Sequence, residues 1–148
     1  MTLCVLNGEM MDLADARISP MDRGFLFGDG VYEVLAAVDG RVRALSLHRQ
    51  RLANSLAMIE LDVDVNAVFA DLQALQEASG FRDSKLYIQV TRGPVEARDH
   101  AFPSKVTPTV FMMASPFVAQ QLAPTTALVR DDIRWRRNAI KSVSLLAN

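Results

Sequence analysis

The chain is 148 residues long, half of them hydrophobic and 22% charged, with a formal net charge of -1. This balance excludes a disordered chain and argues against a general electrostatic surface for nucleic acid or anionic membranes. Cys4 is the single cysteine, which excludes an intrachain disulfide. Because the sequence has neither a signal-peptide pattern nor a stretch long enough to span a membrane, we expect a globular, cytoplasmic protein.

Strand and turn patterns dominate the first part of the chain. Residues 5–9 predict a short strand that runs into a turn, because Asn7-Gly8 is a strong hairpin signal. Residues 18–30 predict a loop that three glycines punctuate. The β-branched and apolar residues 31–38 predict the next strand.

A hairpin and the first of two helices are expected next. Asp39-Gly40 is a second hairpin signal, and residues 41–45 are expected to form its return strand. Ser46 is expected to cap a helix over residues 47–60, because apolar residues recur there at helical spacing.

The second helix is expected at residues 65–78, with Gly80 as its stop. Strands at residues 85–91 and 109–114 follow, and a polar loop at residues 93–105 separates them. Strands, then two adjacent helices, then strands again predict an α+β domain.

Charged residues and the pattern of a helix start mark the end of the chain. A further strand is expected at residues 126–130, and the charged residues 131–138 are interpreted as a connector. Residues 144–148 resemble the start of a helix. We therefore expect an N-terminal domain over residues 1–130, with residues 131–148 as the connector and the start of a second domain.

Arg98 and His100 are the first candidate site residues, in the loop GPVEARDHAFP. Residues two apart in an extended segment point the same way, so a guanidinium and an imidazole could together bind a carboxylate. A solvated loop with scattered charge explains the same spacing and is the commoner case.

Arg51 and Tyr32 are further candidates. Arg51 shares a helix face with His48 and could bind a phosphate near the helix start, although surface arginines are commoner. Alternation places Tyr32 on the strand face opposite Glu33, where most tyrosines simply pack.

Lys141 has apolar neighbours, Ile140 and Val143, and partial burial would make its amine a usable nucleophile. Most lysines in such a setting extend to water instead. Asp29 and Glu33 form a weak candidate acid/base pair. No cluster of His, Cys and Asp has the spacing of metal ligands, so no metal site is predicted.

Taken in order, the segments RGFLFGDGVYEV, LHRQRL, QVTRG, ARDHAFP and DDIRWRRNAIKS resemble the fold-type-IV family of pyridoxal-phosphate enzymes. The family includes D-amino-acid and branched-chain aminotransferases and aminodeoxychorismate lyase. The loop with Arg98 and His100 resembles the D-amino-acid aminotransferase branch in particular. The resemblance implies the small N-terminal domain of that architecture, an antiparallel sheet with two adjacent helices.

The resemblance also implies a role for each candidate. Lys141 would form the Schiff base with pyridoxal 5'-phosphate and shuttle the α-proton of the substrate, and Arg51 would bind the cofactor phosphate. Tyr32 would hold the substrate carboxylate, together with Arg98 and His100 from the partner subunit of a homodimer. The implied reaction transfers an amino group between a D-amino acid, such as D-alanine, and a 2-oxo acid.

Two features depart from the family pattern. Family members are considerably longer, and the additional half supplies the glutamate that pairs with the pyridine nitrogen and much of the phosphate site. This chain alone is therefore expected to bind the cofactor weakly. Ala139 stands where relatives commonly have an aspartate, two residues before the lysine.

Three hypotheses follow from these patterns. The first is a D-amino-acid aminotransferase that is complete only with its C-terminal domain. The second is a branched-chain aminotransferase or aminodeoxychorismate lyase of the same fold; a preference for L-branched substrates, or release of pyruvate without an amino acceptor, would favour it. The third is a non-catalytic dimerising domain.

Overall fold

The computed structural model describes residues 2–118, 123–129, 131–132 and 137–145. In chain order the elements are β1 (Leu3–Leu6), β2 (Glu9–Asp12), α1 (Arg23–Phe27), β3 (Gly30–Val38), β4 (Arg41–Val42), α2 (Leu45–Met58), α3 (Val65–Ser79), β5 (Ser84–Thr91) and β6 (Thr109–Pro116). In these ranges, no helix has the length and apolarity needed to cross a membrane. The predicted α+β class is confirmed.

The six strands form one antiparallel sheet in the order β2-β1-β6-β5-β3-β4. Strand β3 pairs with β5 in a continuous register, from Gly30 opposite Thr91 to Ala37 opposite Ser84. On its other side, β4 pairs only with the end of β3, at Ala37 and Val38. The beginning of β3 is therefore open to pairing with another segment.

The core lies between one face of the sheet and the two long helices, because alternate strand residues point towards α2 and α3. Its fully buried members include Val31, Leu35, Leu52, Phe69, Leu72, Leu86, Ile88, Val90 and Met112. Burying each such side chain contributes about 1.5–3 kcal/mol. The opposite face carries half-buried aromatic residues, and the rings of Tyr32 and Tyr87 lie 6.0 Å apart there.

The first hairpin turn is confirmed, and two elements near it were not predicted. Asn7 and Gly8 have φ values of 53° and 84°, the left-handed pair that a tight hairpin turn requires. One is strand β2, which was missed because its residues do not alternate between apolar and polar. Helix α1 lies in the predicted loop, where Asp22 caps it by accepting a hydrogen bond from the Gly24 N–H at 2.7 Å.

Two predictions about the start of α2 are wrong. The return strand β4 ends at Val42, and Ser46 lies inside the helix instead of capping it. Helix α2 begins at Leu45, which packs against the core, after Ala44 in the left-handed region (φ 50°). The sharp backbone turn at Ala44 thus replaces the expected cap. By contrast, α3 begins and ends as predicted, within one residue.

The predicted strand at residues 126–130 is not formed over residues 126–129, and Arg130 lies outside the described residues. Residues 123–129 are all exposed, and a strand needs a neighbour for its backbone N–H and C=O groups. Residues 144–145 are not helical, while the rest of the expected helix start lies outside the described residues. In the connector, residues 137–139 form a turn, and residues 133–136 are not described.

Candidate active site

Lys141 lies in a short segment that pairs with the open beginning of β3. The backbone N–H of Tyr32 donates to the Lys141 carbonyl at 2.9 Å, and the N–H of Val143 donates to the Gly30 carbonyl at 3.1 Å. On the helix side, the hydroxyl of Ser55 in α2 accepts a hydrogen bond from the Lys141 N–H at 3.2 Å. The backbone of Lys141 is therefore fixed between β3 and α2.

The amine of Lys141 contacts the Tyr32 ring. Its Nζ lies 4.0 Å from the ring centroid, within the range of a cation–π interaction. Tyr32 is half-buried on the strand face opposite the buried Glu33, as alternation predicts. Among the described residues, no ion pair includes Lys141. The amine is therefore held against the Tyr32 ring and not by a carboxylate of the described residues.

Arg51 and His48 of α2 both bind Glu33. The Glu33 side chain is fully buried, and its two oxygens accept hydrogen bonds from Nε and Nη2 of Arg51 at 2.6 Å each. Nδ1 of His48 lies 2.7 Å from Oε2 of the same carboxylate. The prediction that His48 and Arg51 share a helix face is confirmed. We call these three residues the Glu33 cluster.

Arg51 presents a permanent positive charge to solvent. The hydrogen bonds to Glu33 raise the pKa of Arg51 above its ordinary value. Its side chain is 48% exposed, and within the described part of the chain its Nη1 has no hydrogen-bond partner. Ser55, which binds the Lys141 backbone, lies one turn further along α2. The same helix thus carries an exposed guanidinium one turn away from the residue that binds the Lys141 segment.

The predicted acid/base pair of Asp29 and Glu33 is not formed. Glu33 is engaged by Arg51, whereas Oδ2 of Asp29 accepts from Nε of Arg23 at 2.7 Å and from Nε of Arg92 at 2.8 Å. Each carboxylate is therefore engaged by its own cationic side chains and does not pair with the other carboxylate. We call Asp29, Arg23 and Arg92 the Asp29 cluster.

Arg98 and His100 lie together, as their spacing predicts, on the ring of Phe27. The Arg98 guanidinium carbon lies 4.8 Å from the Phe27 centroid, and the His100 ring lies 5.3 Å from it. Both residues are exposed. In the described ranges, no hydrogen bond, ion pair or ring contact joins either of them to Tyr32 or Lys141. One chain therefore contains two separate groups of candidate residues.

The sequence patterns gave no role to Arg23, Arg92 or Ser55. The sequence feature that could have identified Arg23 and Arg92 is that each directly precedes a glycine. A Cβ added to Gly24 would overlap the Thr91 side chain, and one added to Gly93 would overlap the Thr107 carbonyl. Such close backbone packing buries the neighbouring side chains, including the arginines.

The last two observations concern the aspartate expected before Lys141 and side chains that could bind a metal. Ala139, at the position where the resemblance leads us to expect an aspartate, is exposed in a turn. Within the described residues, no group of His, Cys, Asp and Glu side chains is arranged to hold a metal ion.

The chain belongs to the amino-transferase class IV family, whose model matches residues 30–148. The matched span includes Tyr32, Arg51, Arg98, His100 and Lys141. The chain is 36% identical to a D-alanine aminotransferase of Staphylococcus haemolyticus over 155 residues, which cover 100% of this chain and 54% of that protein. It is 37% identical to the D-alanine aminotransferase of Bacillus licheniformis over 150 residues, covering 97% and 52%. The chain thus spans about half the length of these relatives.

A solved structure confirms the fold. The 4-amino-4-deoxychorismate lyase from Pseudomonas aeruginosa matches with a TM-score of 0.70 and 31% identity, over 80% of this chain and 42% of that chain. The resemblance to the fold-type-IV family is therefore confirmed for both sequence and structure.

Proposed function

We propose that this chain contributes Lys141, Tyr32 and Arg51 to a pyridoxal-phosphate-dependent transamination between a D-amino acid, such as D-alanine, and a 2-oxo acid. The observation that carries the proposal is the placement of Lys141. Its backbone is fixed between β3 and α2, while its amine lies 4.0 Å from the Tyr32 ring centroid. Similarity to D-alanine aminotransferases supports the D-amino-acid branch.

The side chains at this site fit pyridoxal 5'-phosphate. When bound, that cofactor supplies an electron sink for the α-carbon of an amino acid. The Lys141 amine would hold the cofactor covalently, and the exposed guanidinium of Arg51 would bind its phosphate. Glu33 would orient that guanidinium, because it engages Nε and Nη2 and leaves Nη1 available.

The substrate would be held and deprotonated by the remaining candidates. Nζ of Lys141 would take the α-proton and return it. The hydroxyl of Tyr32 would donate to the substrate carboxylate. Arg98 and His100 would bind the same carboxylate in a second copy of the chain, which makes a homodimer part of the proposal. What supports this is their position on Phe27, away from Tyr32 of their own chain.

We also propose that residues 1–130 form an N-terminal domain, and that residues 131–148 form a connector and the start of a second domain. The support is that the whole sheet and both long helices lie within residues 3–116. A chain truncated after residue 130 is expected to keep the far-ultraviolet circular dichroism of the sheet. Loss of that signal would contradict the division.

The visible absorption spectrum of the 148-residue chain after addition of pyridoxal phosphate tests the function. Lys141→Ala removes the proposed amine, and Lys85→Ala, which removes an exposed lysine of β5, controls for amines that react at random. We expect a band that requires Lys141, survives Lys85→Ala, and changes with D-alanine but not with L-alanine. Identical spectra from all three proteins would overturn the proposal and favour the non-catalytic dimerising domain.

Aminodeoxychorismate lyase is the second candidate function, because the chain is 31% identical to the Pseudomonas aeruginosa lyase. Release of pyruvate from aminodeoxychorismate without any amino acceptor would favour this activity. A band that changes with L-leucine but not with D-alanine would instead favour a branched-chain aminotransferase.

A further inference from the structure

Within the described residues, the Asp29 cluster is a buried group of charges that has no role in the proposed function. The side chains of Arg23 and Arg92 are 5% and 2% exposed, and they share the single carboxylate of Asp29. Arg92 adds a second hydrogen bond through Nη2 at 3.2 Å. Burial by itself raises the pKa of Asp29, but the hydrogen bonds and charges of Arg92 and Arg23 outweigh it and hold that pKa below its ordinary value.

Arg23 connects this cluster to the loop that carries Arg98 and His100. Its Nη1 donates to the carbonyls of Asp99 at 2.7 Å and Ala101 at 3.2 Å, and its Nη2 donates to the His100 carbonyl at 3.4 Å. Three consecutive peptide groups of the loop are therefore bound by one buried guanidinium. The backbone on either side of the His100 side chain is fixed in this way.

Arg92 connects the same cluster to the end of α2. Its Nη2 donates to the Ile59 carbonyl at 2.7 Å, and its Nη1 donates to the Glu60 carbonyl at 3.3 Å. Carbonyls at the end of a helix have no partner in the helix itself, so the guanidinium satisfies them. The Phe102 ring lies 4.0 Å below the Arg92 guanidinium and closes the loop onto the cluster.

We propose that Asp29 is the positioning residue for the Arg98 and His100 side chains, and hence for binding the α-carboxylate of the substrate. The inference rests on the proposed function. The Asp29 carboxylate neutralises one of two neighbouring guanidinium charges and fixes the plane of Arg23. Without it, the two buried cations repel each other, and Arg23 is no longer held against the loop carbonyls.

The first test compares Asp29→Asn with wild type. This variant keeps the shape of the side chain and removes its charge. Asp39→Asn is the matched control, because Asp39 also pairs with an arginine, Arg82, but on the exposed surface. Within the loop at residues 95–107, the N–H groups of Val95 and Ala101 donate hydrogen bonds. We expect backbone amide hydrogen exchange at these two residues to accelerate at least about tenfold in Asp29→Asn and to stay unchanged in Asp39→Asn. Unchanged exchange in both variants would overturn the proposal.

Arg23→Lys keeps the proposal testable if Asp29→Asn unfolds. A lysine preserves the charge beside Asp29 but lacks the fork that reaches three carbonyls. We expect faster exchange confined to the loop at residues 95–107, with exchange in β3 and β5 as in wild type. Acceleration spread evenly over the sheet would overturn the positioning role, because it would indicate a general loss of stability.

A second readout separates this proposal from the proposed function. If wild type gives the Lys141-dependent band, Asp29→Asn is expected to keep the band and to need at least about tenfold more D-alanine to change it. An unchanged D-alanine requirement would overturn the role of Asp29. If wild type gives no such band, the proposed function fails, and the exchange measurement alone decides whether Asp29 positions the loop.

Discussion

The carboxylates of the Asp29 cluster and the Glu33 cluster are only four residues apart on the chain, yet the two clusters bury opposite charges. In the Asp29 cluster the two guanidinium groups are enclosed, with side-chain exposures of 5% and 2%. In the Glu33 cluster the carboxylate is fully enclosed, whereas Arg51 keeps 48% of its side-chain surface exposed. The Asp29 cluster therefore encloses its cations, whereas the Glu33 cluster encloses its carboxylate and leaves a cation exposed.

The difference follows from where each carboxylate lies relative to β3. Glu33 lies within the strand, and alternation turns it into the core below α2, so its partners reach it from the helix surface. Asp29 precedes the strand, where α1 and the end of β5 bring Arg23 and Arg92 in from both sides. Protein groups engage every guanidinium nitrogen of Arg23 and Arg92. Arg51, on its buried carboxylate, instead keeps an exposed nitrogen that can bind a ligand.

The largest expected effect comes from removing the carboxylate of the Asp29 cluster. Asp29→Ala leaves two buried guanidinium groups without their shared partner, and loss of one partner from a buried pair costs about 3 kcal/mol or more. Urea unfolding should therefore show the free energy of unfolding reduced by about that amount. The exposed Asp39→Ala is expected to cost less than about 1 kcal/mol. Equal losses in the two variants would remove the distinction between a buried and an exposed cluster.

The ion pairs of the Asp29 cluster should also make the free energy of unfolding depend on pH in the acid range. Because the folded-state pKa of Asp29 lies below its ordinary value of 3.8, its stabilising contribution is present above that value and is lost as the pH falls through the folded pKa. Urea unfolding at about pH 5 and about pH 3 should show a larger loss in wild type than in Asp29→Asn. The same acid-induced loss in both proteins would contradict the assigned pKa direction.

The smallest expected effect concerns the hydrogen bond that fixes Lys141. Ser55→Ala removes the acceptor of the Lys141 N–H, and loss of one such hydrogen bond costs about 1 kcal/mol. Calorimetric unfolding measures this cost. Ser46→Ala, an exposed change in the first turn of α2, is the control and should be nearly neutral. A band with pyridoxal phosphate that is weaker in Ser55→Ala but not in Ser46→Ala would confirm that Ser55 positions the lysine.

Local patterns predicted those elements of the fold that depend on local physics. The Asn7-Gly8 turn, strand β3 and helix α3 each follow from turn chemistry, alternation or capping within a few residues. Helix α1 was missed because its five residues are too few for helical periodicity, and it depends on the Asp22 cap and on Gly28 in the left-handed region.

The candidate site could be predicted only where its residues are neighbours in sequence. His48 and Arg51 were correctly placed on one helix face, but Glu33, which joins them, lies 18 residues before Arg51. Alternation places Glu33 on the core face, and a carboxylate there must find a cation, which was a usable clue. Arg92 lies 63 residues from Asp29, and only the pairing of β3 with β5 brings the two together.

The most direct test of the contrast between the clusters measures two quantities in the same two variants, Arg51→Gln and Arg92→Gln. The quantities are the affinity for pyridoxal phosphate and the free energy of unfolding. Arg51→Gln should weaken cofactor binding at least about tenfold, because an exposed phosphate-binding group is lost. Its loss of unfolding free energy should be the smaller of the two, because His48 still binds Glu33.

Arg92→Gln should show the reverse: a loss of about 3 kcal/mol in unfolding free energy, with cofactor affinity close to that of wild type at temperatures where the variant is folded. This crossed result would support one cluster that holds the fold together and one that binds a ligand. If Arg51→Gln binds pyridoxal phosphate as tightly as wild type, or if one variant shows both of the larger losses, the account is contradicted.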